Sequence, residues 1–421
     1  MEPITHFLTG ACIGRAGLNR KTAYATLAAV LASEAADVDV LWALRGPVEE
    51  LKHHRGITHT FIAAPVVAGV VVGAVWLFDR WREARRIRKI ATASARPGTS
   101  APDEGTQIED GAFPPLRQEP NCRSFDSLRS LGMTGHGGIV VGSQEPVPLC
   151  LRPQPVRWGW VYLSALLSAL SHLFLDWTNN YGLRPFFPFN PRWYAGSFMF
   201  IAEPLLWALL LAALVMPWLF GLIGGEIGAR RKPFRGQGWA IFALSGMALL
   251  WCWRWAEHAQ ALAMVENTQI TAAPVKRVAI EPYPVNPFRW HAILETEDYY
   301  QTAEIDTRAG SIDTDQRRDV LFKPASTAAT EAAKRTPLGR VYLDWGTWAV
   351  VRDVGPFPVP EMDPPQLPLA RWTTVEFTDL RFSYSFLGTS RGTGRSPLGG
   401  WVYIVDGRDD AGEALNGREQ K

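Results

Sequence analysis

The sequence predicts a mainly α membrane protein, a bundle of about five membrane helices, followed by a C-terminal antiparallel β domain. Three observations lead there. Apolar runs at 57–78, 158–175, 201–224 and 238–256 come close to the roughly 20 helical residues that cross a hydrocarbon core. Basic clusters follow or separate these runs at 79–96 and 230–235. Beyond residue 270 the pattern changes to short β-branched and aromatic segments broken by Pro and Gly. The 47% hydrophobic content averages over this division.

Along the chain, Pro3 to Gly17 reads as a short apolar helix and residues 22–44 (TAYATLAAVLASEAADVDVLWAL) as a second, rich in small residues suited to close helix packing. The two would form a hairpin turning at Arg15, Asn19, Arg20 and Lys21; the first arm is short for a full span and suits a helix supported by protein. Ile57–Phe78 is the strongest span, with Thr58 as its expected cap. Arg80, Arg82, Arg85, Arg86, Arg88, Lys89 and Arg96 follow it, which places that end in the cytoplasm. Arg230, Arg231, Lys232 and Arg235 put the connection between the last two spans on the same side.

Residues 93–155 are rich in Pro, Gly and Ser without apolar periodicity, as expected of a disordered loop. RWHAILET, YYQTAEID, GRVYLDWGTWAVVRD, TTVEFTDLRFSYSF and GWVYIVDG read as strand-bearing segments of an extracytoplasmic domain. The resulting organisation is N-terminal membrane helices at 1–79, a basic cytoplasmic loop at 80–155, further membrane helices at 156–260, a β domain at 270–408 and a disordered tail at 409–421.

The balance of 43 basic and 41 acidic residues, net +2, gives no reason to expect a nucleic-acid partner. The Arg run after Phe78 is explained by orientation and contact with anionic lipid. Cys12, Cys122, Cys150 and Cys252 lack CxxC spacing, which argues against a zinc–thiolate site or a disulfide framework. The start, MEPITH, lacks a basic region and a small-residue cleavage site, so it is expected to be retained. Trp42, Trp76, Trp158, Trp177 and Trp218 fall at span ends, where an aromatic belt accounts for them.

Ionisable groups in or beside apolar helices are expensive and are functional candidates by default. His6 begins the first arm, and Asp37 and Asp39 end the second. His53, His54 and His59 flank the start of the strong span, His172 and Asp176 end the next, and Glu203 opens the one after. With the basic loops inside, all of them fall at the outer ends of their helices, and they include five of the chain's eight histidines. His172 and Asp176 share a helix face at i,i+4. Asp37 and Asp39 cannot share one on an unbroken helix, and a turn must bring His54 and His59 together. His6 and His53, taken singly, equally suit a cap or an interface anchor, while His136, His258 and His291 read as structural.

Imidazole and carboxylate donors together suit a divalent metal, zinc first and manganese or iron as substitutes, which would activate water for hydrolysis. The expected ligands are His6, Asp37, His59, His172 and Asp176. Asp39, His54 and Arg55 are the expected catalytic groups, a carboxylate off the metal serving as base and the Arg55 fork suiting an anionic phosphate or carboxylate.

Four segments, ITHFLTGACIG, AADVDVLW, HHRGITHT and SHLFLDWTNNYGLRPFFPF, resemble the family of YdjM-type, LexA-binding, inner-membrane-associated hydrolases, usually called membrane-bound metal-dependent hydrolases. The resemblance covers about residues 1–225 and implies a multi-pass protein of the bacterial inner membrane. It also implies a metal site at His6, Asp37, Asp39, His54, His59, His172 and Asp176. One departure is Glu203-Pro204, where the family pattern has Asp-Pro. The expected function is hydrolysis of an ester or phosphoester in a lipid-like substrate at the outer membrane face. The alternative is a non-catalytic metal-binding transporter or scaffold. A channel would need polar residues through the thickness of the membrane, and FIAAPVVAGVVVGAVWLF has none.

Overall fold

The computed structural model describes residues 2–94, 155–226, 236–315, 317–384 and 398–420. By contacts the chain divides into two units, Met1–Trp76 with Val156–Lys421, and Leu77–Pro155. In the first unit, helix α1 (Pro3–Arg15) opens on a proline, whose missing N–H costs nothing in a first turn. It packs closely on α2 (Ala25–Glu34), which buries Ala25, Ala28, Ala29 and Ala32. The approach depends on glycine: a Cβ on Gly14 would lie 2.5 Å from the Thr26 Cα.

The expected helix over 22–44 is interrupted. After Glu34 the chain tightens into a 3-10 segment, Ala35–Arg45, and then forms α3 (Pro47–His53). A second 3-10 turn, Ile57–His59, precedes α4 (Ala63–Ser94). The cap of α4 is Thr60 and not Thr58: the Thr60 hydroxyl accepts from the Ala63 N–H at 3.0 Å. Residues 80–94 of the expected loop continue α4, and the remainder of that loop lies outside the described residues, as does the basic connection 230–235.

The further helices are α5 (Trp158–Thr178), α6 (Pro204–Glu226) and α7 (Gln237–Glu266). Among the described residues three helices, not five, are long and apolar enough to cross a membrane: Ala63–Lys89, Trp158–Thr178 and Pro204–Leu222. The physical reason is length in α1 and α2, at 13 and 10 residues. In α7 it is polarity, since the helix carries Arg254, Glu257, His258 and Gln260.

The C-terminal region is antiparallel β, as expected. One sheet runs β1 (Arg277–Pro282), β2 (Arg289–Glu295), β3 (Tyr299–Asp306) and β4 (Ser311–Asp313), with β5 (Val320–Phe322) also paired to β3. Two short helices, α8 (Ala328–Ala333) and α9 (Pro337–Trp345), lead to the second sheet. Its strands are β6 (Ala349–Asp353), β7 (Trp372–Asp379), β8 (Gly400–Val405), β9 (Asp409–Leu415) and β10 (Arg418–Glu419), in the order β10-β9-β8-β7-β6. The tail expected to be disordered over 409–421 therefore supplies two strands. Its period-2 signal is weak in DDAGEAL, and pairing with β8 is what fixes it.

The β region shares its core with the helices. Leu206 and Leu210 of α6 and Met247 of α7 belong to one buried cluster with Trp290, Ala292 and Ile305. Val48 and Leu51 of α3 are buried with Leu338, Tyr342 and Trp345 of α9 and with Phe377 and Val402 of the second sheet. The segment that introduces His54 is thus anchored on the C-terminal domain.

Candidate metal centre

Three segments converge at the end of α5. His172 and Asp176, one helical turn apart, both face the interior and are fully buried. His59 arrives from the 3-10 turn before α4, after a bend in which Arg55 adopts φ +52°. Asp37 and Asp39 come from the 3-10 segment Ala35–Arg45 and reach the two nitrogens of one ring: Asp37 Oδ1 lies 3.2 Å from His59 Nε2, and Asp39 Oδ2 lies 3.2 Å from His59 Nδ1.

The partners fix the tautomers. The Nδ1 of His172 is 2.7 Å from the Ser33 carbonyl oxygen, which can only accept, so Nδ1 carries the proton and Nε2 presents a lone pair. Burial acts to raise the Asp39 carboxyl, but hydrogen bonds from His54 and His59 outweigh it and leave the group ionised below the ordinary range. It therefore accepts from His59 Nδ1, while the Nε2 of His59 is turned to Asp37 and Asp176. Burial lowers the pKa of the His59 ring, but these carboxylates outweigh it and raise it to about 10, so that a metal ion would take the place of a proton on Nε2. The two Nε2 atoms face each other at 3.0 Å. Asp176 Oδ2 is 3.3 Å from one and 3.2 Å from the other; Asp37 Oδ1 is 3.2 and 3.6 Å away.

Four ligand-type atoms gathered in this way need positive charge between them, supplied by a proton on His59 Nε2 or by a metal ion that displaces it. Five of the six distances average about 3.3 Å and the sixth, between the two carboxylate oxygens, is no more than 4.8 Å; a regular tetrahedron of about 3.3 Å edge has its centre about 2.0 Å from each corner, within the zinc–nitrogen and zinc–oxygen range. Asp37, His59, His172 and Asp176 can therefore hold a divalent metal ion. The outward hydrogen bonds of both histidines, to a carbonyl and a carboxylate, are the partners that metal-ligating imidazoles need.

Around this group, Arg55 is buried and donates to Asp176 Oδ1 at 2.9 Å, to Asn179 Oδ1 at 3.2 Å and to the Gly182 carbonyl at 2.9 Å. His6, expected as a ligand, lies beside the group. Its ring stacks on His172 at 3.8 Å, and its Nε2 is 3.4 Å from Asp176 Oδ1, the oxygen turned toward Arg55. Asp39, expected as a catalytic carboxylate, is occupied instead: it also accepts from the Arg55 N–H at 2.8 Å and faces His54 Nδ1 at 3.4 Å. Access is from one side, where the Asp37 and His54 side chains are 22% and 29% exposed while His6, His59, His172 and Asp176 are fully buried. His53 stacks on Trp42 and pairs with Glu49, away from the group. Glu203 is buried within the electrostatic reach of Arg254 and not of the histidines. His258 and His291 are held in the C-terminal packing, and His136 lies outside the described residues.

The β domain braces the site. Arg381 pairs with Asp379 at 2.9 Å and donates to the Asn180 carbonyl at 2.8 Å, and Trp345 Nε1 donates to the Tyr181 carbonyl at 3.3 Å. Tyr181 lies under the Arg55 guanidinium at 4.7 Å and edge-on to His54 at 5.3 Å. Sequence reasoning missed Ser33, Asn179, Tyr181 and Arg381. Asn179 and Tyr181 stand in the TNNYG segment after Asp176 and were within reach of a closer reading, whereas a carbonyl and a residue some 200 positions away carry no local signal.

The sequence profile of the YdjM inner membrane proteins matches residues 1–261, well over half of the chain. The chain belongs to the YdjM inner membrane protein family. That membership, with three helices able to span a bilayer, places the protein in the inner membrane. All four members of the metal group lie within the YdjM match, and the strands of the β domain lie beyond it. None of the curated proteins and none of the solved structures compared with the chain matches it.

Proposed function

We propose that the protein is a metal-dependent hydrolase acting at the outer face of the inner membrane on an ester or phosphoester of a membrane-borne substrate. The observation that carries this reading is the facing pair of imidazole Nε2 atoms, closed off by two carboxylate oxygens and open on one side. Zinc suits these donors best, with manganese and iron as substitutes. Asp37, His59, His172 and Asp176 would hold the ion, and the chemistry it would supply is polarisation of a carbonyl or phosphoryl oxygen and acidification of water at neutral pH.

The chain's own residues would do the rest. Asp39 holds His59 in the tautomer that leaves Nε2 free, and Ser33 does the same for His172. His54, part-exposed with its Nδ1 directed at Asp39, would take a proton from water and return it to the leaving group through its other nitrogen. Arg55 neutralises Asp176 and holds it in place. The outer-face assignment rests on the Arg-rich sequence 80–96, which follows the apolar run that His59 opens and marks the cytoplasmic side.

A structural ion is the second reading, favoured by the fact that four protein donors already complete a tetrahedron. The test is elemental analysis of detergent-purified protein, wild type against a His59→Ala, His172→Ala double substitution, with hydrolysis of a chromogenic phosphodiester and a chromogenic ester measured on the same samples. Stoichiometric metal and turnover, both lost in the double variant, support the hydrolase. Metal without turnover leaves the structural ion; no metal after reconstitution refutes both.

A further inference from the structure

An apolar groove of about 720 Å³ lies where α1, α5, α7 and the 183–194 loop meet, lined in part by sequence neighbours of the metal-group residues. That is the size of an ordinary small-molecule site. Its walls include Leu167, Leu170 and Phe174 of α5, with Phe186 at one end and Trp251 on α7; their exposed surface is almost wholly hydrocarbon. Three other lining residues share helical turns with the site: Thr9 follows His6 by three positions, Leu173 adjoins His172, and Trp177 adjoins Asp176. The groove's loop wall is also part of the site's support. Pro185 accepts from the Phe61 N–H at 3.0 Å, two residues beyond His59, and Gly182, just ahead of that wall, holds Arg55.

A soluble protein would bury such a surface, but this one belongs to an inner-membrane family and the groove opens on the exposed face of a spanning helix. What meets it is therefore the bilayer. We infer that the groove binds one acyl chain of a diacyl phospholipid, whose ester-bearing headgroup region then reaches the metal group through the opening at Asp37 and His54. This identification of the substrate class rests on the hydrolase reading above. Annular lipid would cover all exposed apolar faces alike, such as Val66 and Val70 of α4 or Leu211 of α6. A recessed groove, with aromatic pairs Phe61–Phe186 at 5.6 Å and Phe174–Trp251 at 4.9 Å along it, offers a chain contact on several sides.

The experiment uses the full chain in vesicles of phosphatidylethanolamine and phosphatidylglycerol carrying a trace of phosphatidylglycerol with a diazirine on one acyl chain. Photolabelled positions are mapped by mass spectrometry, and metal content is measured on the same preparation. The expected result is saturable labelling at Leu170, Phe174 and Phe186, several-fold above Val66, Val70 and Leu211. It should be displaced by unlabelled diacyl lipid and weakened by Leu170→Trp and, independently, by Leu167→Trp, both of which fill the groove from its exposed side. Even labelling of all membrane-facing helices, or groove labelling unchanged by both substitutions, overturns the proposal. Metal bound with even labelling removes the groove while leaving the hydrolase reading intact; groove labelling without metal keeps the chain-binding site and removes the hydrolase.

Discussion

Replacing Asp39 by alanine tests how the site is held together. Asp39 touches no atom of the four-atom metal group except through His59, whose Nδ1 it holds at 3.2 Å. It also accepts from the Arg55 N–H at 2.8 Å and faces His54 at 3.4 Å. Without the carboxylate, His59 Nδ1 keeps the Thr58 hydroxyl at 3.1 Å, and that hydroxyl can donate as well as accept. The tautomer with its proton on Nε2, directed into the metal site, then becomes populated. Loss of such an outer partner typically lowers metal affinity about 10- to 100-fold, or roughly 1.4–2.7 kcal/mol. The buried Arg55 N–H left without its acceptor should cost a further ~1–3 kcal/mol of fold stability. Asp39→Asn should lose much less affinity, because its one remaining oxygen can still accept from Arg55 and His59 while the amide donates to His54. Chelator competition on detergent-purified protein gives the affinities, and thermal unfolding gives the stability. Alanine binding metal as tightly as wild type, or asparagine as weak as alanine, would refute the assignment of Asp39 as the residue that orients His59.

Three further outcomes follow from the geometry. Arg381→Met leaves Asp379 buried without its cation and should destabilise the protein by about 3–5 kcal/mol; a denaturant midpoint near wild type would show that the clamp on Asn180 is dispensable. Glu281 on β1, fully buried, has its carboxyl raised to about 8, chiefly by burial, with Asp379 adding to the effect and Arg381 opposing it. The folded state therefore keeps a proton that the unfolded chain releases near 4.5, so stability should fall as pH rises from about 4.5 to about 8 and level off above. Glu281→Gln should flatten that slope in a pH series of melting temperatures, and an unchanged slope would count against the buried proton. Gly10→Ala should push α1 off α2, because a Cβ there would lie 2.9 Å from the Ala29 carbonyl oxygen and also strike Ser33, whose carbonyl orients His172. Lowered melting temperature together with weakened metal binding is expected, and wild-type values of both would show that the helices have room to spare.

Much of the site was legible because the membrane makes ionisable groups costly. His59, His172 and Asp176 sit in or beside segments otherwise apolar, and Asp37 ends another, so few explanations other than a shared site remained. The i,i+4 spacing of His172 and Asp176 placed them on one face before any fold was known. The β domain was legible from its alternation, while DDAGEAL was read as tail because its pairing residues lie on β8 and not in itself.

Sequence alone determined which stretches are apolar and which are β, three of the helices long enough to span and the donor types at their ends, since these depend on composition and local period. It also counted 22–44 and 238–256 as spans, which the interruption after Glu34 and the polarity of α7 remove. Tertiary structure decided the rest. Whether an aspartate binds metal or orients a ligand depends on which ring nitrogen it meets, and Asp37 and Asp39, two residues apart, take opposite sides of His59 only because the chain tightens into a 3-10 segment there. The part played by His6, by the Ser33 carbonyl and by Arg381 likewise arises from contacts across 139 to 201 positions in the latter two cases, where no local pattern can register them.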